Sequence, residues 1–150
     1  MKKILFLGLF MALMSFYLEA KNLDKGEKMI ISLSFKTEAG NAEKIVLELE
    51  QNAAAKSLYA KLPLELEFSD YVGKEKISKP LKSPLDMSGI RGYDPSVGDF
   101  FYFSPWGNLG IFYEKQGFHS GLAFLGKLKS EDLAKIRAFK NDFKITINKE

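Results

Sequence analysis

Between Lys28 and Asn148 the sequence keeps returning to short runs in which apolar and polar residues alternate, and such runs fold as strands with one buried face. In Lys28–Lys36, Met29, Ile31, Leu33 and Phe35 alternate with Ile30, Ser32, Ser34 and Lys36. After the turn residues Thr37–Asn41, Ile45, Leu47 and Leu49 alternate with Lys44, Val46, Glu48 and Glu50, which predicts an antiparallel hairpin. Leu64–Phe68 predicts a third strand and Tyr71–Ser78 holds a short fourth. Asp99–Ser104 and Asn108–Glu114 are aromatic-rich strands joined by Ser104-Pro105-Trp106-Gly107, and Leu122–Lys129 and Phe143–Asn148 complete the set. Thirteen Phe and six Tyr favour the same pleated, half-buried surfaces.

Two segments change period. Asn52 is a good N-cap for Ala53–Leu62, whose Ala54, Ala55, Leu58, Tyr59 and Leu62 form a helical stripe that Pro63 ends. Ser130 is expected to cap a second short helix, with Glu131 and Asp132 in its first turn and Leu133, Ile136 and Phe139 as its buried stripe. Lys79–Gly92, with two Pro and two Gly, has no consistent period and is expected to be a long surface loop of the kind that often lines a site. Short connections between many strands point to a mainly β fold: a small, closed or nearly closed antiparallel barrel with two short helices.

The start of the chain follows different rules. Lys2 and Lys3 precede an apolar run from Ile4 to Leu18, Glu19-Ala20 ends it at a small residue, and a polar stretch follows. This is the layout of an export signal over residues 1–20, with a linker at 21–27 and one domain at 28–150. Leu18 stands where a second small residue is preferred, so the alternative is an uncleaved anchor, although about 15 apolar residues are short for a span of about 20. The expected location is periplasmic or secreted. The chain has no Cys, which excludes a lipidated cysteine and leaves the exported domain to rest on its core alone. Losing two Lys and one Glu with the leader lowers the formal charge from +3 to +2, too little to argue for nucleic acid or an anionic membrane.

Three stretches carry a resemblance. Leu62-Pro63-Leu64-Glu65-Leu66-Glu67-Phe68 with Asp70-Tyr71-Val72-Gly73-Lys74-Glu75-Lys76-Ile77, then Tyr93-Asp94-Pro95-Ser96-Val97-Gly98-Asp99, then Ser104-Pro105-Trp106-Gly107-Asn108-Leu109-Gly110-Ile111-Phe112-Tyr113, occur in the order and spacing of the bacterial cyclophilin-like domain family. Gly121-Leu122 and Leu125-Gly126 fit the run that follows. The resemblance implies a small cyclophilin-type barrel with helices at its ends. It does not imply the enzyme: the isomerase signature, an Arg near a Phe and a Gln on adjoining strands, has no counterpart around Arg91 or Arg137. Members of the family generally lack an export signal, so the leader is a departure.

Candidate chemistry is sparse. Arg91, beside Tyr93 at the end of the long loop, could hold a carbonyl or carboxylate, or simply brace the loop. His119, the one histidine, sits in a glycine-flanked loop without a nucleophile or orienting acid arranged around it, which reads as a loop residue without catalytic duty. Asp94 and Asp99 read as turn residues. One histidine and no Cys argue against a transition-metal site, and no cofactor is expected. The aromatic strand pair stands out: one face must fill the barrel, and the other is either covered or open as a groove. The leading reading is a non-catalytic binding module for a peptide or small apolar ligand, with Arg91, Tyr93, Tyr102, Trp106, Asn108 and Phe112 as ligand-binding candidates. The alternatives are a peptidyl-prolyl isomerase using Arg91 and an assembly subunit using a sheet edge.

Overall fold

The computed structural model describes residues 26–150. The leader expected at Met1–Ala20, and most of the linker after it, lie outside the described residues. Eight strands and two helices follow: β1 (Ile30–Lys36), β2 (Ala42–Glu48), α1 (Ala53–Lys61), β3 (Leu64–Tyr71), β4 (Glu75–Ser78), β5 (Asp99–Phe103), β6 (Asn108–Phe112), β7 (Leu122–Lys127), α2 (Ser130–Arg137) and β8 (Phe143–Lys149). All strands join one sheet in the order β2-β1-β8-β3-β4-β6-β5-β7, every neighbour antiparallel.

The sheet curls until its two edge strands meet. Closure is limited to one bridge between Leu49 and Gly126, reinforced by the Glu50 amide donating to the Leu125 carbonyl at 2.8 Å. A Cβ on residue 126 would lie 2.9 Å from the Glu48 carbonyl oxygen, so glycine is what lets the edges touch. The barrel is therefore nearly closed, as the strand count implied. Asn52 stitches the same seam: its Oδ1 accepts from the Ala55 amide as the helix cap, and its Nδ2 donates to the Phe124 carbonyl at 2.6 Å. Ala54, Ala55 and Leu58 of α1 are fully buried in consequence.

The predicted alternation survives in side-chain burial. Ile31, Leu33, Phe35, Ile45, Leu47 and Leu49 point inward, joined by Ile145 and Ile147 from β8 and by Phe100, Tyr102, Leu109 and Ile111 from the aromatic strands. Two boundaries differ from expectation. β3 runs on to Tyr71, because Val72 and Gly73, both at positive φ, turn the chain straight into β4, with the Asp70 carboxylate accepting from the Gly73 amide. The cap of α2 is Lys129 rather than Ser130, and no side chain caps it. Glu131 and Asp132 place negative charge against the helix N-terminus, so that end is stabilised without a capping hydroxyl. Ile136 is buried as expected, and Phe139, just beyond the helix, stacks on Phe143 at 3.7 Å between ring centroids.

Candidate functional site

Pairing registers decide what the outer surface of the sheet carries. Glu75 lies opposite both Tyr71 and Phe112, Ile77 opposite Gly110, Gly110 opposite Phe101, and Asn108 opposite Phe103. Residues directly opposite share a face. The outward set of β3, β4, β6 and β5 is therefore Tyr71, Glu75, Ile77, Asn108, Gly110, Phe112, Phe101 and Phe103. Phe101, Phe112 and Leu122 form a second apolar cluster on this side, separate from the barrel core. Gly110 makes it possible: a Cβ there would meet the Phe101 ring at 2.2 Å, so the bare backbone lets that ring lie flat and stack on Phe112 at 4.0 Å.

A cleft of about 260 Å³ opens over this cluster. Its floor is Phe101, Phe112, Leu122 and Ile77. Trp106, in the β5–β6 turn, forms one wall, edge-on to both Tyr71 and Phe103 with centroids 5.3 Å apart. Phe118 and His119, in the β6–β7 segment, form another, with the His119 ring edge-on to Phe103 at 4.9 Å. Trp106 is 49% exposed and Phe118 63%, large apolar surfaces left to water at the rim. His119 Nδ1 accepts from the Gly121 amide at 2.9 Å, which in the neutral ring leaves the proton on Nε2.

The polar groups of the cleft are few and under-used. Asn108 is only 3% exposed, yet its Oδ1 has no hydrogen-bond partner, and neither has the buried Nε2 of Gln116. An unmet buried acceptor or donor costs about 1–3 kcal/mol, so a site that carries one of each is set up to receive their complements. Glu75 is half-buried among apolar neighbours, and burial pushes its carboxyl up to about 7. Among the described residues it is the one acidic side chain lining the cleft, and no Lys or Arg lines it.

Residues 37–148 match the sequence model of the cyclophilin-like family. The chain belongs to the cyclophilin-like family. No curated protein and no solved structure matches it.

Of the six ligand-binding candidates, the structure brings three to the cleft: Trp106, Asn108 and Phe112. Tyr102 is corrected to the opposite face; it is fully buried in the barrel core, where its hydroxyl accepts from the Leu85 amide at 3.2 Å. Tyr93 lies beside the outer cluster rather than in the cleft. It packs edge-on to Phe124 at 5.7 Å and bridges to His119 through the backbone, while burial and then the Asp99 carboxylate push its hydroxyl above the ordinary value. Arg91 is exposed and does not line the cleft, and Arg137 is engaged with Glu114 at 2.8 Å. No guanidinium faces the aromatic floor. Glu75, Gln116, Phe118 and His119 were missed as lining residues. Glu75 could have been found by carrying strand parity from Phe112 across the sheet, whereas the other three sit on a loop whose path no local pattern encodes.

Proposed function

We propose that this chain is a non-catalytic binding module that holds a peptide segment, or a small apolar ligand, in the aromatic cleft. The observation that carries this reading is an open apolar cleft whose rim leaves Trp106 and Phe118 in water while its walls hold an unpaired buried acceptor and donor. The isomerase alternative needed Arg91 beside the pocket, and its position away from the lining gives that alternative no support.

Trp106 is the only Trp in the chain, so its emission reports directly on the cleft. Titration with acetyl-Leu-Leu-Leu-amide, or with cyclohexanol as the small apolar probe, is expected to give a saturable blue shift. Phe118→Ala, at an exposed position that the core does not need, should weaken binding roughly tenfold, the usual effect of truncating an aromatic anchor. A spectrum unmoved by either probe, or equal affinity in the variant, would remove the reading.

The proposal includes export, supported by Lys2-Lys3, the apolar run to Leu18 and the small residue Ala20. Expressed from Met1 in a bacterial host, the protein should appear in the periplasmic fraction with the mass of residues 21–150. Full-length protein in the membrane fraction would mark an uncleaved anchor instead.

A further inference from the structure

The cleft has a polarity as well as a shape. Among the described residues its one charged lining group is a carboxylate, so an anionic ligand would be repelled, while a cation would meet both Glu75 and the π faces around it. Among the described residues no cation occupies Glu75. Lys76 follows it on β4 but points to the other face, where it holds Asp70 at 3.0 Å and the Phe139 carbonyl at 2.6 Å.

The ends of the cleft differ. Glu75 is level with Phe112 on β6, and Asn108 is four residues back along the same strand on the same face. Four rises of about 3.4 Å put the two side chains about 14 Å apart along the sheet. A single small cation cannot touch both, because an extended lysine side chain reaches only about half that distance. An extended peptide of about three residues can, and each of its peptide units offers one N–H and one C=O, the complements of the unpaired Asn108 Oδ1 and Gln116 Nε2.

We propose that the ligand of this cleft is an extended peptide segment carrying a basic side chain, its cationic head on Glu75 and a backbone N–H on Asn108 Oδ1. The inference rests on the reading of the cleft as a peptide site and adds the charge and length of what binds there. Burial alone raises Glu75, so binding of a cation stabilises the charged form and affinity follows its ionisation. Glu75 faces Tyr71 from β3, Phe112 from β6, and shares the cleft with Gln116 and His119 from the β6–β7 segment. His119 is therefore the other imidazole or carboxylate side chain beside the proposed cation site, and its variant serves as the control.

The test is a titration followed by the Trp106 indole signal in NMR, at pH 8 and pH 6. The probes are acetyl-Leu-Lys-Leu-amide, its norleucine and glutamate counterparts, and butylammonium. At pH 8 the lysine peptide is expected to bind at least about tenfold more tightly than the norleucine peptide, and the glutamate peptide most weakly of the three. Butylammonium alone should bind at least about tenfold more weakly than the lysine peptide. The lysine advantage should shrink severalfold at pH 6, where the Glu75 carboxyl is mostly protonated. Glu75→Gln, which keeps the shape and removes the charge, should bring lysine and norleucine peptides within about twofold at both pH values, while His119→Gln should leave the pH effect in place. Equal affinity of the lysine and norleucine peptides for the unaltered protein would overturn the inference and leave the apolar cleft standing. Binding by none of the peptides would remove this inference and the reading of the cleft as a peptide site, leaving the small apolar ligand, probed by cyclohexanol, as its occupant. A pH effect abolished by His119→Gln, or a lysine advantage that survives Glu75→Gln, would overturn the role given to Glu75, and butylammonium matching the lysine peptide would overturn the peptide assignment.

Discussion

Gly92→Ala is expected to destabilise the protein by about 3 kcal/mol or more, and Gly89→Ala, three residues earlier, by only about 1 kcal/mol. Both glycines have positive φ, +85° and +73°, so both substitutions carry the cost of a left-handed L-residue. They differ in what surrounds them. A Cβ at residue 89 meets nothing within 4 Å, whereas at residue 92 it would lie 2.2 Å from the His119 carbonyl oxygen and 2.5 Å from Ser120 Cα. Those are backbone atoms, so the collision is relieved only by moving a chain segment. That segment carries Phe118 and His119, one wall of the cleft. Urea unfolding of the two variants measures the difference. Equal midpoints would show that the close approach of the two loops is not a constraint, whereas a shifted Trp106 spectrum in folded Gly92→Ala would show the wall displaced.

The expected long loop at Lys79–Gly92 is there, but the same contact explains why its course is not legible in the sequence. Its course is fixed by Gly92 against the His119 backbone, by the isolated bridge from Tyr93 to His119, and by the Leu85 amide reaching the Tyr102 hydroxyl. Each partner is distant in sequence, so nothing local says that Arg91 points away from the aromatic floor. The strands were legible because their pattern is local. Ile31, Leu33 and Phe35 are buried as their alternation requires, and the Asn52 cap and Pro63 stop bound a real helix.

Alternation loses its force where both faces are apolar. Phe100, Phe101 and Tyr102 are all buried, Phe101 under the outer cluster and the other two in the core, so composition cannot say which ring belongs to which side. Register can: Tyr102 pairs with Leu109 and shares its inward face, while Phe112, three residues on, is outward. Val72 illustrates a different limit. A β-branched residue at φ 48° is sterically unfavourable, and only the closure of β3 onto β4 requires it there. That turn also brings Glu75 opposite Tyr71, so the most unusual carboxyl of the cleft owes its place to a turn that residue preferences would reject.

On the inner face of the same hairpin, Asp70→Ala is expected to cost about 2–4 kcal/mol, and Lys76→Met close to nothing or to stabilise. Lys76 is only 3% exposed, with its Nζ 3.0 Å from Asp70 Oδ1 and 2.6 Å from the Phe139 carbonyl, and 5.5 Å from the centre of the Tyr113 ring. Removing Asp70 leaves a buried ammonium with a carbonyl and a π face but no counter-charge. Removing the ammonium leaves Asp70 at 38% exposure, still hydrogen-bonded by the Tyr113 hydroxyl and the Gly73 amide, while a methionine of similar length fills the space. The exposure of Asp70 lets water screen part of the pair, which places the expected loss at the lower side of that for a fully buried one. Acid should act in the same direction. Desolvation is the largest single influence on the Asp70 carboxyl and raises it, but the Tyr113 hydroxyl, Lys76 and the Gly73 amide together outweigh it and hold the carboxyl below its ordinary value. The stabilisation from Asp70 is therefore present above the unfolded carboxylate value and is lost as pH falls through the lowered folded one. Chemical denaturation at pH 7 and pH 3 checks both statements: Asp70→Asn should shed part of its deficit relative to the unaltered protein on acidification. A cost for Lys76→Met equal to that for Asp70→Ala would show instead that the ammonium itself, and not the relief of its burial, is what this end of the barrel requires.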